Sequence, residues 1–150
     1  VLNDLLTRQN VFTKILIKDG DKELPKELKV KVMRIRMAYN KIRKNFDTEV
    51  QDFTNELITD EFRELNSKVE RTEEEATRFE ELNQSINSEY QIYITQKGNE
   101  TVSEIDDTLT FEEYSDIVEV NAGNTVEING NIISPEVFLE AIYELFVKEN

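Results

Sequence analysis

Apolar positions recur along most of this chain at intervals of three and four, the spacing that lines one face of an α-helix. Leu2, Leu5, Leu6, Phe12, Ile15 and Leu16 predict a short first helix. The polar stretch Lys18-Asp19-Gly20-Asp21-Lys22, followed by Pro25, predicts a turn with a new element starting just beyond it. There the strongest pattern begins: Leu28, Val32, Ile35, Tyr39, Ile42, Phe46, Val50, Phe53 and Leu57, in steps of 4, 3, 4, 3, 4, 4, 3 and 4. Alternating steps of four and three mark a coiled-coil-like seam, and the doubled four after Ile42 is a stutter that locally unwinds a supercoil. A helix over 26–57 follows, with Phe46 expected to be buried at the stutter. With Leu28 at a d position, Lys29, Arg36 and Arg43 fall at successive e positions and form a basic stripe beside the seam.

Such a stripe calls for acidic neighbours, and these lie downstream. Phe62, Leu65, Val69, Ala76, Phe79, Leu82, Ile86 and Tyr90 keep the helical period among many glutamates. Thr72-Glu73-Glu74-Glu75 has the form of a capping box, which satisfies free backbone donors at a helix start, so the helix should break between Thr59 and Thr72 and restart there. Folded back as an antiparallel hairpin, this segment would bring Glu74 and Glu81, seven apart, opposite Arg36 and Arg43.

Beyond Gln96 the texture changes. Gly98 and Asn99 mark a turn, and Thr101 to Ile105 reads as a short strand. Thr110-Phe111-Glu112-Glu113 is a second capping box, opening a helix whose apolar face is Phe111, Tyr114, Ile117 and Val118. Asn129-Gly130 between residues 125–128 and 131–133 is the preferred pair for a type I′ β-hairpin turn. Ser134-Pro135-Glu136 then supplies an N-cap, a proline at the first helical position and an acid in the first turn of a closing helix. The expected fold is mainly α (α+β): one domain over 1–150, with a long coiled-coil-like helical hairpin region over 1–97 and a small cap of β-hairpin and helices over 98–150.

Charge sharpens this picture. The 150 residues carry a net charge of −14, distributed unevenly. Residues 1–45 hold 12 basic and 5 acidic side chains, 12 − 5 = +7, and residues 46–150 hold 6 and 27, 6 − 27 = −21. A basic end joined to an acidic body is attracted to copies of itself, so a homo-oligomer built by self-pairing or head-to-tail stacking is expected. Lys26 to Lys44 is basic enough to attract phosphates, but the overall negative charge opposes nucleic-acid binding, and pairing with the chain's own acidic helices is the preferred reading. Tyr39, Phe46, Phe53, Phe62 and Phe79 lie on the seam at helical spacing and read as packing residues, not as a platform for bases. No apolar run reaches the roughly 20 residues of a membrane span, and the first residues have no basic-then-apolar signal pattern.

The residue inventory narrows the chemistry further. Absence of His and Cys removes thiol nucleophiles, histidine bases, zinc fingers and disulfides, and favours an intracellular site. Glycine at positions 20, 98, 123 and 130 alone leaves no room for a phosphate-binding loop or a dinucleotide fingerprint. A calcium loop starting at Asp19 would need Gly where Leu24 stands and Glu where Val30 stands. The carboxylates of Glu73-Glu74-Glu75 and Glu80-Glu81 read as a solvated helix face. No catalytic, cofactor-binding or metal-binding residue is assigned. The expected contact residues are Lys29, Arg36, Arg43, Glu74 and Glu81.

The order of a Leu2-to-Leu16 helix, Glu23-Leu24-Pro25, a long basic-then-acidic helix, a Thr-Glu-Glu-Glu helix and a C-terminal Phe111-Glu112-Glu113-Tyr114 with Ile117-Val118 resembles small helical-hairpin proteins of tailed bacteriophages, including those of crAss-like phages. The likeness is one of layout over most of the chain and carries no catalytic motif. It implies a virion or assembly protein, in the particle or the host cytoplasm, that contacts other virion or assembly proteins in a setting such as a head–tail vertex ring or collar. A different class of function, an acidic inhibitor or adaptor that occupies a host nucleic-acid-binding protein, is the alternative expectation.

Overall fold

The long helix forms over the bounds its apolar period predicts: α2 spans Lys26–Leu57 in the computed structural model, which describes residues 1–148. Around it in chain order are α1 (Leu2–Phe12), β1 (Lys18–Asp19), β2 (Lys22–Glu23), α3 (Asp60–Ser67), α4 (Glu73–Gly98), α5 (Phe111–Asn121), β3 (Val126–Ile128), β4 (Asn131–Ile133) and α6 (Pro135–Phe146). The fold is mainly helical with a small C-terminal antiparallel hairpin and a closing helix, as the pattern predicts.

Packing divides the chain into two compact units. One consists of residues 3–43 and the segment from Val102 onward; the other is Lys44–Thr101 with Val1–Leu2. The first holds the hydrophobic core. Phe12 of α1, Ile15 after it, Leu28, Val32, Ile35 and Tyr39 of α2, Ile117 and Val120 of α5, and Phe138, Ile142 and Phe146 of α6 are buried together. Phe146 meets Phe12 edge-on at 5.0 Å, a favoured aromatic geometry. In this unit β1 and β2 pair across a two-residue turn that places Gly20 at φ 61, where the sequence predicted only a polar turn.

Local signals place the C-terminal elements of this unit. Thr110 and Glu113 complete both halves of their capping box at 3.1 and 2.9 Å. Asn129 and Gly130 adopt φ of 52 and 80, the paired positive values of a type I′ turn, and set the register Val126↔Ile133, Glu127↔Ile132, Ile128↔Asn131. Ser134 caps α6 by accepting from the Val137 amide, with Pro135 in the first turn.

Two expectations for this unit are corrected. The first helix stops at Phe12 and does not reach Leu16. The fully buried Asn121 amide accepts from Leu16 N at 2.8 Å and donates to Leu16 O at 3.1 Å, so the backbone of Leu16 is bonded to α5 instead of to a further helical turn. Residues 101–105 form no strand, because no partner ladder meets them among the described residues. Val102 and Ile105 contribute only side chains, half-buried against the core. The backbone pairing arises later, as a parallel bridge of Leu109 with Val147, where Leu109 N donates to Phe146 O at 2.8 Å.

The second unit is a thin antiparallel helical hairpin. Thr59 caps α3, accepting from Phe62 N at 3.2 Å, and Thr72 and Glu75 form the predicted capping box of α4. Phe62 stacks on Phe79 and Phe53 on Tyr93, so α4 returns first along α3 and then along the second half of α2. Leu65 is the one buried side chain on α3, and Phe46, expected to be buried, is half-buried. Most of the hairpin's seam residues are half-buried, not sealed.

Candidate interaction surface

The expected basic stripe is engaged within the first unit. Lys29 pairs with Glu23 of β2, which holds that carboxylate below its ordinary pKa. Arg36 donates from Nη2 to the carbonyl of Ile15, and its Nε is buried with no hydrogen-bond partner. Burial lowers the pKa of that guanidinium. Arg43 donates from Nε to Gln9 Oε1 at 3.0 Å and from Nη2 to Leu6 O at 3.2 Å. These contacts fasten α1 and the loop after it to α2. Both arginines meet backbone carbonyls and an amide in place of the carboxylates expected for them.

The acidic candidates sit on α4. Glu81 lies 3.6 Å from Arg78 one turn earlier on its own helix, and Arg78 makes its closer, two-pronged contact with Glu61 of α3 at 2.6 and 3.2 Å. Glu74 is exposed and makes no hydrogen bond or ion pair among the described residues. Its neighbour Glu75 is the engaged one. Lys68 and the Thr72 cap both bond its carboxylate and hold its pKa down at about 2.

A polar clasp that no local pattern announces lies in the core unit. Asp107, nearly buried, accepts from Arg8 Nε at 2.9 Å, from Arg8 Nη2 at 3.2 Å and from the Tyr39 hydroxyl. Arg8 also donates to Leu145 O at 2.6 Å and lies over the Phe146 ring at 4.9 Å. Burial and the adjacent carboxylate raise the pKa of Tyr39, so its hydroxyl remains a donor at neutral pH. The clasp joins α1, α2, the segment before α5 and the end of α6. With Tyr39 sealed from solvent, its role is to tie the core unit together.

The hairpin presents a different surface. Phe53 and Tyr93 stack at 3.9 Å with rings 8° from parallel, and Phe62 and Phe79 at 5.2 Å and 17°. Arg71 covers Phe79 at 4.2 Å and donates to Leu65 O, capping the end of α3. Lys97 pairs with Glu49 near the base of the hairpin. Val50, Leu57, Leu82, Ile86 and Tyr90 along the same seam are each half-buried, while Ala76, Ile92 and Val69 are exposed. The sequence places these residues on the seam correctly, but their partial burial depends on how many layers cover it, which periodicity does not encode. Residues 44–101 carry 6 basic and 15 acidic side chains, 6 − 15 = −9, so the apolar strip is bordered by carboxylates.

Among the described residues no group of three or more His, Cys, Asp or Glu side chains is placed to hold a metal ion, and no helix is long and apolar enough to cross a membrane. Compared with known protein families, with curated proteins and with solved structures, the chain matches none.

Proposed function

We propose that the protein is a non-enzymatic interaction and assembly subunit that works through its helical hairpin. One observation carries this reading: the longest apolar strip of the hairpin unit, from Phe46 to Tyr93, is only half covered by the unit's own helices. A partly covered seam of aromatic and aliphatic side chains gains roughly 25 cal/mol for each Å² of apolar area that a partner removes from water. The acidic border excludes wrong partners and favours one bearing cations.

The resemblance in element order to small helical-hairpin proteins of tailed phages supports a setting in the virion or in an assembly intermediate, with other virion or assembly proteins as partners. Mass spectrometry of purified particles and of assembly intermediates tests this. Recovery of the chain at a fixed ratio to structural proteins is the expected result. Its absence from both would overturn the assembly role, and its recovery on a host nucleic-acid-binding protein would point to an inhibitor or adaptor instead.

A further inference from the structure

The cations that the fold leaves unengaged form a face of their own. Of the eight Lys and Arg residues from Lys26 to Lys44, four have internal partners: Lys29 on Glu23, Lys31 on Glu113 at 2.8 Å, Arg36 on Ile15 and Arg43 on Gln9 and Leu6. Lys26, Arg34, Lys41 and Lys44 are exposed and make no hydrogen bond or ion pair among the described residues. Lys26, Val30, Met33, Met37, Lys41 and Lys44 follow one another in steps of 4, 3, 4, 4 and 3, which keeps them on a single side of α2. That side is opposite the one bearing the buried Leu28, Val32, Ile35 and Tyr39. Val30, Met33 and Met37 are 58, 44 and 64% exposed at its centre. The helix is thus amphipathic twice over, and its second apolar strip, ringed by free cations, is uncovered.

We propose that this outer face of α2 docks the acidic hairpin of a second copy of the chain. Complementarity selects the occupant. The face joins an apolar strip to the unpaired Lys26, Lys41 and Lys44, with Arg34 beside Met33, and the hairpin unit joins a half-covered apolar seam to a charge of −9, with Glu74 and Glu89 exposed and unpaired among the described residues. Duplex DNA or an anionic membrane would also attract the cations, but the molecule approaching either carries −14, which repels it. The unbranched thioethers of Met33 and Met37 adapt to an uneven aromatic surface. Because the two contacting surfaces differ, a pair leaves the hairpin of one copy and the outer face of the other free for a further copy, so the contact is heterologous. This inference rests on the hairpin being a contact surface and names its partner.

Sedimentation velocity of the full chain over a wide concentration range, at low and high salt, tests it. Self-association that weakens with salt is expected. M33E/M37E on the outer face, and separately E74K/E89K on the hairpin, should each weaken it by about tenfold or more while circular dichroism retains the helical signal. K41E/K44E, which leaves the apolar strip intact, should weaken it less, and mixing K41E/K44E with E74K/E89K should restore association between the two variants. Unchanged association of M33E/M37E would overturn the proposal, as would a wild-type chain that stays monomeric at every concentration, or one that binds duplex DNA or anionic vesicles through these residues in place of itself. A monomer whose hairpin seam still crosslinks to another protein would leave the interaction role standing, whereas a seam that contacts no protein would remove that role as well.

Discussion

Asp107→Ala tests whether the polar clasp holds the core unit together. The carboxylate accepts three hydrogen bonds, two from Arg8 and one from Tyr39, and bonds to charged groups contribute about 1.5–3 kcal/mol each. The Arg8 side chain is 28% exposed, so water replaces part of what it loses. The Tyr39 hydroxyl still accepts from Arg8 Nε at 3.4 Å, but its hydrogen loses its acceptor inside a fully buried residue, which costs about 1–3 kcal/mol. The expected loss is therefore about 3–4 kcal/mol. Tyr39→Phe leaves the Arg8 pair intact and should cost about 1 kcal/mol. In the double variant no hydroxyl is stranded, so its cost should fall short of the two single costs added together by about 1–2 kcal/mol. Urea titrations followed by amide exchange at Ile35 and Tyr39 isolate the core unit from the hairpin. A loss below about 1 kcal/mol for Asp107→Ala, or strict additivity in the cycle, would refute the clasp.

Phe46→Ala should cost about 1–2 kcal/mol, less than the roughly 3–5 kcal/mol of a fully buried phenylalanine, because its ring is half exposed; urea melts measure it, and the larger figure would show a covered site. Replacing Lys29, Arg36 and Arg43 together with Glu should loosen α1 and β2 from α2 and leave the α4 amides protected, since the contacts of all three lie in the core unit; selective loss of protection in α4 would contradict this. Glu75, depressed to about 2, contributes stability to the start of α4 that is present above the ordinary glutamate pKa and disappears as pH falls from about 4.5 toward 2. A carboxyl NMR titration should place its midpoint near 2 and move it upward in Lys68→Ala; a midpoint in the ordinary range would disprove the pairing. Asn121→Ala removes bonds to both Leu16 backbone groups and to Ile117 O and should cost about 2–4 kcal/mol in the same urea titrations, with a loss under about 1 kcal/mol counting against it.

Local signals in the sequence carry most of the element boundaries. The capping boxes at Thr72 and Thr110, the Asn129-Gly130 turn and Ser134-Pro135 act within four residues of themselves, so reading them requires no tertiary contact. The extent of α2 is legible for the same reason, its apolar positions recurring at three and four from Leu28 through the stutter to Leu57. What the pattern does not contain is which turn of which helix meets which. Arg8 and Asp107 are 99 residues apart, and Leu16 and Asn121 are 105 apart. The heptad position of Arg36 and Arg43 shows that they border the seam, but not that the groups they meet are carbonyls of α1 and of the loop after it. Likewise, a regular seam predicts burial for Phe46 only when a further layer covers it.

The central claim is that the hairpin seam is completed by another polypeptide. A photoreactive benzoylphenylalanine in place of Ile86, half-buried on α4, tests it in the assembled state of the native complex. Irradiation should join this position to a second chain, with the crosslinked peptide identified by mass spectrometry, and an exposed control at Gln84 should give little product. Crosslinks confined to the same chain, with as much product from Gln84 as from Ile86, would contradict the account.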